Sequence, residues 1–230
     1  MLRFLFLTIL LNSVSIIFLK ADDVVNTNFF PGIRVSKELN KNLDFTFRFR
    51  SLQSISEHKK TESNFDYRLI YNDFFGSVNY NFTENLNFTI GLTYRPVHKS
   101  ENLIFPTKSI GYSHKSGKLE FQHRLKADYF FTGKLKNDLN RFRYRFRISY
   151  PFSQNTEINS PDLIIILEPM YYWNRKASFF IENRFFTGVS YRINPNHNIF
   201  SGVEYRSRFD ENSIFFNNRL FLIFQWQINF

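Results

Sequence analysis

The chain has no cysteine among its 230 residues. That excludes a disulfide, a zinc–thiolate site, a cysteine nucleophile and a lipid anchor attached through Cys. After the first twenty residues no apolar run approaches the roughly 20 residues a membrane-spanning helix needs. The best internal candidate, Ile164 to Leu167, is far too short. Mean hydropathy is only −0.32. That value suits a soluble protein, but it also suits strands in which apolar and polar residues alternate.

Aromatic residues are plentiful by contrast, at 20% of the chain, with 31 Phe and 12 Tyr. A single core rarely needs so many, whereas a lipid-facing band with aromatic girdles does. Part of the excess is compositional, because Phe, Asn, Lys and Ile are abundant together, as AT-rich coding produces. The formal charge is +10, from 30 Lys+Arg against 20 Asp+Glu. A basic chain of this kind suits nucleic acid, an anionic surface or an anionic solute. Where the charges sit decides among these.

Residues 1–21 read as a secretory signal: Arg3 is the positive n-region, Phe4 to Leu19 the apolar h-region, and Ala21 the small residue before cleavage. The remainder, 22–230, is expected to form one domain. Its last segment is the most telling. Phe216, Asn218, Leu220, Leu222, Phe224, Trp226, Ile228 and Phe230 fall on one parity, and Asn217, Arg219, Phe221, Ile223, Gln225, Gln227 and Asn229 on the other. A strand sends alternate side chains to opposite faces, so one face is almost wholly apolar. Such a strand at the edge of a soluble sheet invites pairing with other chains; in a membrane barrel it closes the ring. The segment resembles the C-terminal signal of outer-membrane proteins. Trp226, Ile228 and Phe230 are therefore expected to be recognised by the barrel-assembly machinery.

A short unit recurs. Asn42-Leu43-Asp44-Phe45-Thr46-Phe47-Arg48-Phe49-Arg50 is echoed by Asn85 to Arg95 and, loosely, by His197 to Arg206, each after an Asn-rich turn. Turn residues between alternating runs make hairpins. Strands are expected near 28–37, 43–52, 65–82, 86–97, 105–115, 118–131, 140–150, 162–172, 181–193, 198–208 and 214–230. Tight turns fall near 38–42, 83–85, 116–117 and 194–197, and longer polar loops at 53–63, 98–103, 132–139 and 208–213; the stretch 151–161 is long where a short turn is due. Bacterial single-chain barrels have even strand numbers, so eleven strands suggests an error of one and a range of 10–12. A parity shift inside 65–82 points to a β-bulge near Asn72 and Asp73. The expected fold is all-β: a transmembrane antiparallel up-and-down β-barrel.

The sharpest pattern is Arg141-Phe142-Arg143-Tyr144-Arg145-Phe146-Arg147. On a strand, four arginines share one face and aromatics the other. Arg48 and Arg50 repeat this, and Arg68, Arg124, Lys126, Arg184, Arg192 and Arg219 also stand opposite apolar residues. A charge facing lipid at mid-bilayer costs about 2–4 kcal/mol, so these arginines are expected to point inward. Two interiors fit. In one, Asp44, Asp66, Glu120, Asp128, Glu168, Glu182 and Glu204 pair with the arginines and fill the barrel. In the other, Arg48, Arg50, Arg141, Arg143, Arg145, Arg147, Arg184 and Arg219 wall a narrow pore whose basic lumen favours a small anionic solute. Basic and aromatic residues also interleave in single-strand nucleic-acid binders, but lipid-type alternation in a secreted chain argues against a nucleic-acid partner.

An enzyme needs a nucleophile beside a base and an orienting group. His58, His98 and His197 sit in expected loops or turns, His123 on an apolar strand face, and His114 beside Ser113 and Ser116 next to a turn. No segment has the His-x-Ser-Asn-Gly pattern of the outer-membrane phospholipase. No catalytic residue, metal ligand or cofactor is assigned.

Asn140 to Arg145 leading to Ser149-Tyr150-Pro151-Phe152, then Glu182 to Arg192, and the earlier Lys37 to Leu43 turn resemble a family of small Gram-negative barrel proteins catalogued as a domain of unknown function, number 2490. The resemblance implies an outer-membrane β-barrel in contact with outer-membrane lipid. It brings no catalytic or binding residues; it does place Asn183, Arg184 and the arginine strand in the shared barrel plan. The expectation is therefore an outer-membrane barrel of unassigned activity, with a narrow anion-favouring pore as its first reading. A lipid-acting outer-membrane hydrolase and a secreted soluble barrel or sandwich that binds a ligand are the alternatives.

Overall fold

The computed structural model describes residues 25–59, 62–132, 139–152, 161–174, 179–210 and 217–230. The expected signal segment, 1–21, and Phe216 lie outside these residues, as does most of the long 151–161 connection. The described chain is strand throughout apart from turns: β1 (Val25–Asn40), β2 (Leu43–Lys59), β3 (Glu62–Asn81), β4 (Leu86–Arg95), β5 (Leu103–Ser116), β6 (Leu119–Thr132), β7 (Leu139–Pro151), β8 (Pro161–Asn174), β9 (Phe179–Asn194), β10 (His197–Asp210) and β11 (Asn217–Asn229). Each strand pairs antiparallel with the next, and β1 pairs with β11 to close the barrel.

Among the described residues the barrel has eleven strands, and the expected correction to an even number does not hold. In an up-and-down chain with an odd count, the first and last strands run the same way, so the closing seam must be parallel. It runs from Val25 opposite Asn218 to Ser36 opposite Asn229. The Phe230 N–H donates to the Ser36 carbonyl at 2.8 Å, and the Glu38 N–H to the Phe230 carbonyl at 3.1 Å. Closure leaves no sheet edge unpaired, which is how barrels avoid edge-to-edge association.

The tight turns form for the local reasons their sequences suggest. The Asn40 side chain accepts from the Asn42 N–H at 3.0 Å. Asn194 accepts from the N–H groups of Asn196 and His197, each at 2.9 Å. Thr83 Oγ1 accepts from the N–H groups of Asn85 and Leu86. Side chains that imitate a backbone turn stabilise these bends. Gly117 supplies a left-handed residue, φ +59°, in the β5–β6 turn.

Two local expectations are corrected. The 53–63 stretch is not a loop, since β2 continues to Lys59 and β3 begins at Glu62, paired with each other. The bulge is not at Asn72–Asp73. Leu52 faces Tyr71 and Gln53 faces Leu69, so Ile70 is the extra residue. A bulge turns consecutive side chains to one side. Ile70 and Tyr71 therefore pack inward against Phe30, Leu52 and Phe221, and Tyr71 does not share the outer face of Leu69.

The wall is inverted relative to a soluble domain. Outward residues include Ile90 and Leu92, at 53% and 52% exposure, whereas inward Arg141 and Glu168 are 6% and 2% exposed. Outward rings gather towards both ends of the strands. Tyr94, Tyr129, Phe131, Tyr171 and Trp173 lie at one end, and Tyr80, Phe82, Tyr112, Tyr191 and Trp226 at the end with the tight turns, with Val78, Ile90, Leu125, Leu167 and Val203 between. Among the described strand residues, Lys108 is a charge in the middle of this apolar band, beside Ile90 and Ala127.

Candidate functional site

Arg48, Arg50, Arg141, Arg143, Arg145, Arg147, Arg184 and Arg219 all line one internal cavity of about 1150 Å³. Its lining reaches from Arg68 and Arg208, towards the ends of β3 and β10 away from the tight turns, to Ser36, Asp44 and Phe230 at the opposite end. Space is left where inward positions of β3–β5 are small, at Ser77, Thr89, Gly91, Thr93, Thr107, Ser109 and Gly111, while Phe75 and Phe105 on the same strands reach into it. The opposite wall is filled instead. Phe30, Leu52 and Phe221 form one buried apolar cluster, and Ile164, Ile166 and Phe186 another. Gly188 and Gly202 face each other beneath the stacked rings of Phe186 and Phe200, 4.7 Å apart. A Cβ on either glycine would meet backbone oxygen at 2.3 Å.

On β6–β8 Arg124, Arg141, Arg143 and Arg145 find acid. Arg141 donates through Nε and Nη2 to Asp128, both at 2.8 Å, and through Nη1 to the Tyr172 hydroxyl at 3.2 Å. Arg143 bridges Asp128 (2.9 Å) and Glu168 (3.4 Å). Asp128 also accepts from Thr107 at 2.5 Å and lies 3.5 Å from Lys126 Nζ. Arg145 Nε donates to Glu168, with Arg124 at 3.8 Å and Arg184 at 3.9 Å from the same carboxylate. Arg184 has a second partner in Glu182, at 2.6 Å. A buried carboxylate with several guanidinium partners is the arrangement in which low dielectric strengthens attraction rather than penalising a lone charge. The next arginine, Arg147, reaches only a hydroxyl, Ser149 Oγ at 3.1 Å.

Pairing is looser at Arg50 and Arg48. Arg50 lies 3.4 Å from Asp73 and over the Phe30 ring at 4.5 Å. Arg48 sits over Phe75 at 4.9 Å, and its Nε is buried without a hydrogen-bond partner. Arg219 stands between Arg206 on β10 and Asn26 on β1, on the inward side of the seam. Of the carboxylates expected to pair, Asp128, Glu168, Glu182 and Glu204 do so with arginine. Asp44 accepts from Asn79 and Asn81, and Glu120 from Gln122. The Asp66 side chain lies outside the described ones.

Sequence reasoning did not single out Arg34, Arg95, Arg206 and Arg208 as wall residues. Arg95 grips Asp73 at 2.5 and 3.0 Å; Arg206 bonds Glu204 at 2.5 Å and covers Phe221 at 3.6 Å; Arg208 covers Phe180 at 3.7 Å. The signal was present: each alternates with outward apolar residues, as in Ile33-Arg34-Val35 and Tyr205-Arg206. It was weak because these arginines stand singly, as Arg34 and Arg95 do, or as one pair, Arg206 and Arg208, at or near the end of an alternating run, without the reinforcement of 141–147.

Three histidines make ring contacts on the outer side of the wall, and His123 also borders the cavity. His114 and His123 stack on the outer face, 5.6 Å apart, among Tyr112, Phe121 and Phe146. His123 Nδ1 meets the Tyr144 hydroxyl at 2.7 Å, and His197 Nδ1 accepts from Trp226 Nε1 at 3.2 Å. Among the described residues no histidine is hydrogen-bonded to a serine or a carboxylate, and no group of three His, Asp or Glu could hold a metal. Trp226 projects outward, between Ile33 and Ile199, and Ile228 stands between Val35 and His197.

No match is found among curated proteins. Residues 27–213, from the start of β1 to just beyond β10, match the family described as "Protein of unknown function (DUF2490)", and the chain belongs to that family.

Proposed function

We propose that this barrel is an integral protein of the bacterial outer membrane, reached through the periplasm, and that it is a narrow pore with a basic, anion-favouring lumen. The observation that carries the reading is the reversal of polarity across the wall. Apolar residues between two bands of aromatic rings face outward, and guanidinium groups face a central cavity. A hydrocarbon slab flanked by interfaces is the surrounding that suits such an exterior. Around the cavity arginine and lysine outnumber carboxylates, and rings of such residues select anions. Trp226, Ile228 and Phe230 are, on this reading, the strand end that the barrel-assembly machinery recognises.

Two measurements test it. Environment-sensitive labels at Phe142 and Trp226 report acyl chains if the exterior is lipid-facing; a water signal, or a protein monodisperse in plain buffer, overturns membrane residence. In planar bilayers the wild-type protein conducts with anion preference. Arg147→Gln, which removes a lumen guanidinium held only by a hydroxyl, moves the reversal potential towards zero. Absence of conductance leaves a structural barrel and removes the pore.

A further inference from the structure

Arg34 on β1 and Arg48 on β2 are direct cross-strand partners on the inward face. Like charges placed directly opposite each other repel. Neither has a carboxylate within ion-pair distance among the described residues. Arg124 on β6 and Arg145 on β7 are likewise direct partners, and they share one carboxylate, Glu168, with Arg143 and Arg184. Arg34, Arg48, Arg124 and Arg145 all line the one cavity, the first two from β1–β2 and the last two from β6–β7. The lumen is narrow here, since the Phe75 ring of β3 is 4.9 Å from the Arg48 guanidinium and 5.0 Å from Lys126 Nζ of β6.

We propose that this level of the lumen binds a free tetrahedral oxyanion of two or more charges, phosphate or sulfate, between Arg34 and Arg48 on one wall and Arg124 and Arg145 on the other. The inference deepens the anion-favouring reading and rests on the lumen being reachable from water. Three features favour this ligand over a halide or a carboxylate. The positive charge exceeds the local acid, so one negative charge leaves repulsion standing. The guanidinium forks come from opposite walls, so the ligand must present oxygens on more than one side; a tetrahedral oxyanion does, and a carboxylate offers two in one plane. Paired N–H groups match oxyanion geometry directly. Arg48 lines the cavity, and its Nε is buried without a hydrogen-bond partner.

The test uses the full chain folded in detergent micelles and titrated calorimetrically with inorganic phosphate against a background of chloride at matched ionic strength. Wild type binds phosphate. Arg34→Gln/Arg48→Gln binds about tenfold or more weakly, as loss of charged hydrogen bonds implies. Arg48→Lys, which keeps charge but loses the fork, falls between. Equal response to phosphate and chloride in wild type, or undiminished binding by the double variant, overturns the site. Should the double variant fail to fold, wild type alone decides by arginine-selective modification and peptide mapping. Phosphate protects Arg34 and Arg48 and leaves Arg192, near the β9–β10 turn, unprotected; equal modification with and without phosphate overturns the site. Failure here together with anion preference in bilayers removes the site and keeps the pore. Phosphate binding without conductance keeps the site and removes the pore.

Discussion

Along β6–β8 Arg141, Arg143 and Arg145 stand in a lattice of carboxylates; along β1–β2 Arg34 and Arg48 face each other with none within ion-pair distance among the described residues. Both groups lie on the same inward parity and line the same cavity, so position in the barrel does not separate them. What separates them is acid on neighbouring strands. Asp128 and Glu168 project between the arginines of β7 and absorb their charge, whereas the inward residues flanking Arg34 are Gly32 and Ser36. The first group holds strands together. The second holds charge in a narrow space without an internal use for it.

The most forceful way to break this contrast is to remove the shared acid. Glu168→Gln leaves Arg145 without its carboxylate and weakens the hold on Arg143, Arg184 and Arg124. Breaking one side of a buried pair costs about 3–5 kcal/mol. Urea unfolding of the micelle-bound barrel should show a loss of that order. A loss below about 1 kcal/mol would make the lattice ornamental and the two arginine groups equivalent. Asp73→Asn is the intermediate case. It removes the partner of Arg95 and Arg50, which are more exposed than Arg141, so about 1.5–3 kcal/mol is expected from its charged hydrogen bonds. The same unfolding assay measures it.

The lattice was half legible in the sequence. The alternation of 141–147 fixes which way four arginines point, because a period of two admits only one inward set. Asp128, Glu168, Glu182 and Glu204 could be proposed as partners on the same logic. Which carboxylate meets which arginine could not be read, since it depends on the register between neighbouring strands. The bulge shows why. A parity shift in 65–82 was visible, but its place was set by pairing with β2, which puts the extra residue at Ile70. The eleven strands were legible too, and only a general rule about even numbers argued against them. The cavity was not. It depends on small inward residues of β3–β5 lying opposite Phe- and Ile-filled strands, and no local pattern announces that juxtaposition. The inward face of β11 is mixed in the same way: Phe221 stands on it among polar residues, and nothing local shows that it is fully buried.

The outer wall offers a third position for comparison, because Lys108 is a charge in the middle of its apolar band. If lipid surrounds the barrel, its ammonium must reach past Ile90 and Ala127 towards an interface. Lys108→Leu is then expected to stabilise the barrel in phospholipid vesicles by about 2 kcal/mol, the lower end of the penalty for a basic residue near the midplane. In a soluble barrel the same change would leave urea stability unaltered or lower it. Comparison of the midpoints in vesicles decides between them.

Arg48→Gln is the smallest effect and the one whose sign matters most. Removing Arg141 or Arg145 takes a close partner from a buried carboxylate and is expected to destabilise. Removing Arg48 strands none, and it relieves a direct like-charge pairing with Arg34, worth about 0.2–1 kcal/mol in a sheet. Against that stands the loss of its contact with the Phe75 ring, about 0.5–1 kcal/mol for a partly exposed cation over an aromatic face. In chloride the two nearly cancel, so unfolding midpoints of variant and wild type should agree within about 1 kcal/mol. In phosphate the balance tips. A ligand that binds the folded barrel stabilises it by mass action, wild type gains from occupancy between Arg34 and Arg48, and the variant gains less. A gap between the two midpoints that opens on replacing chloride by phosphate therefore separates an arginine kept for a ligand from one kept for the fold. A large loss already present in chloride would place Arg48 with the arginines of β7.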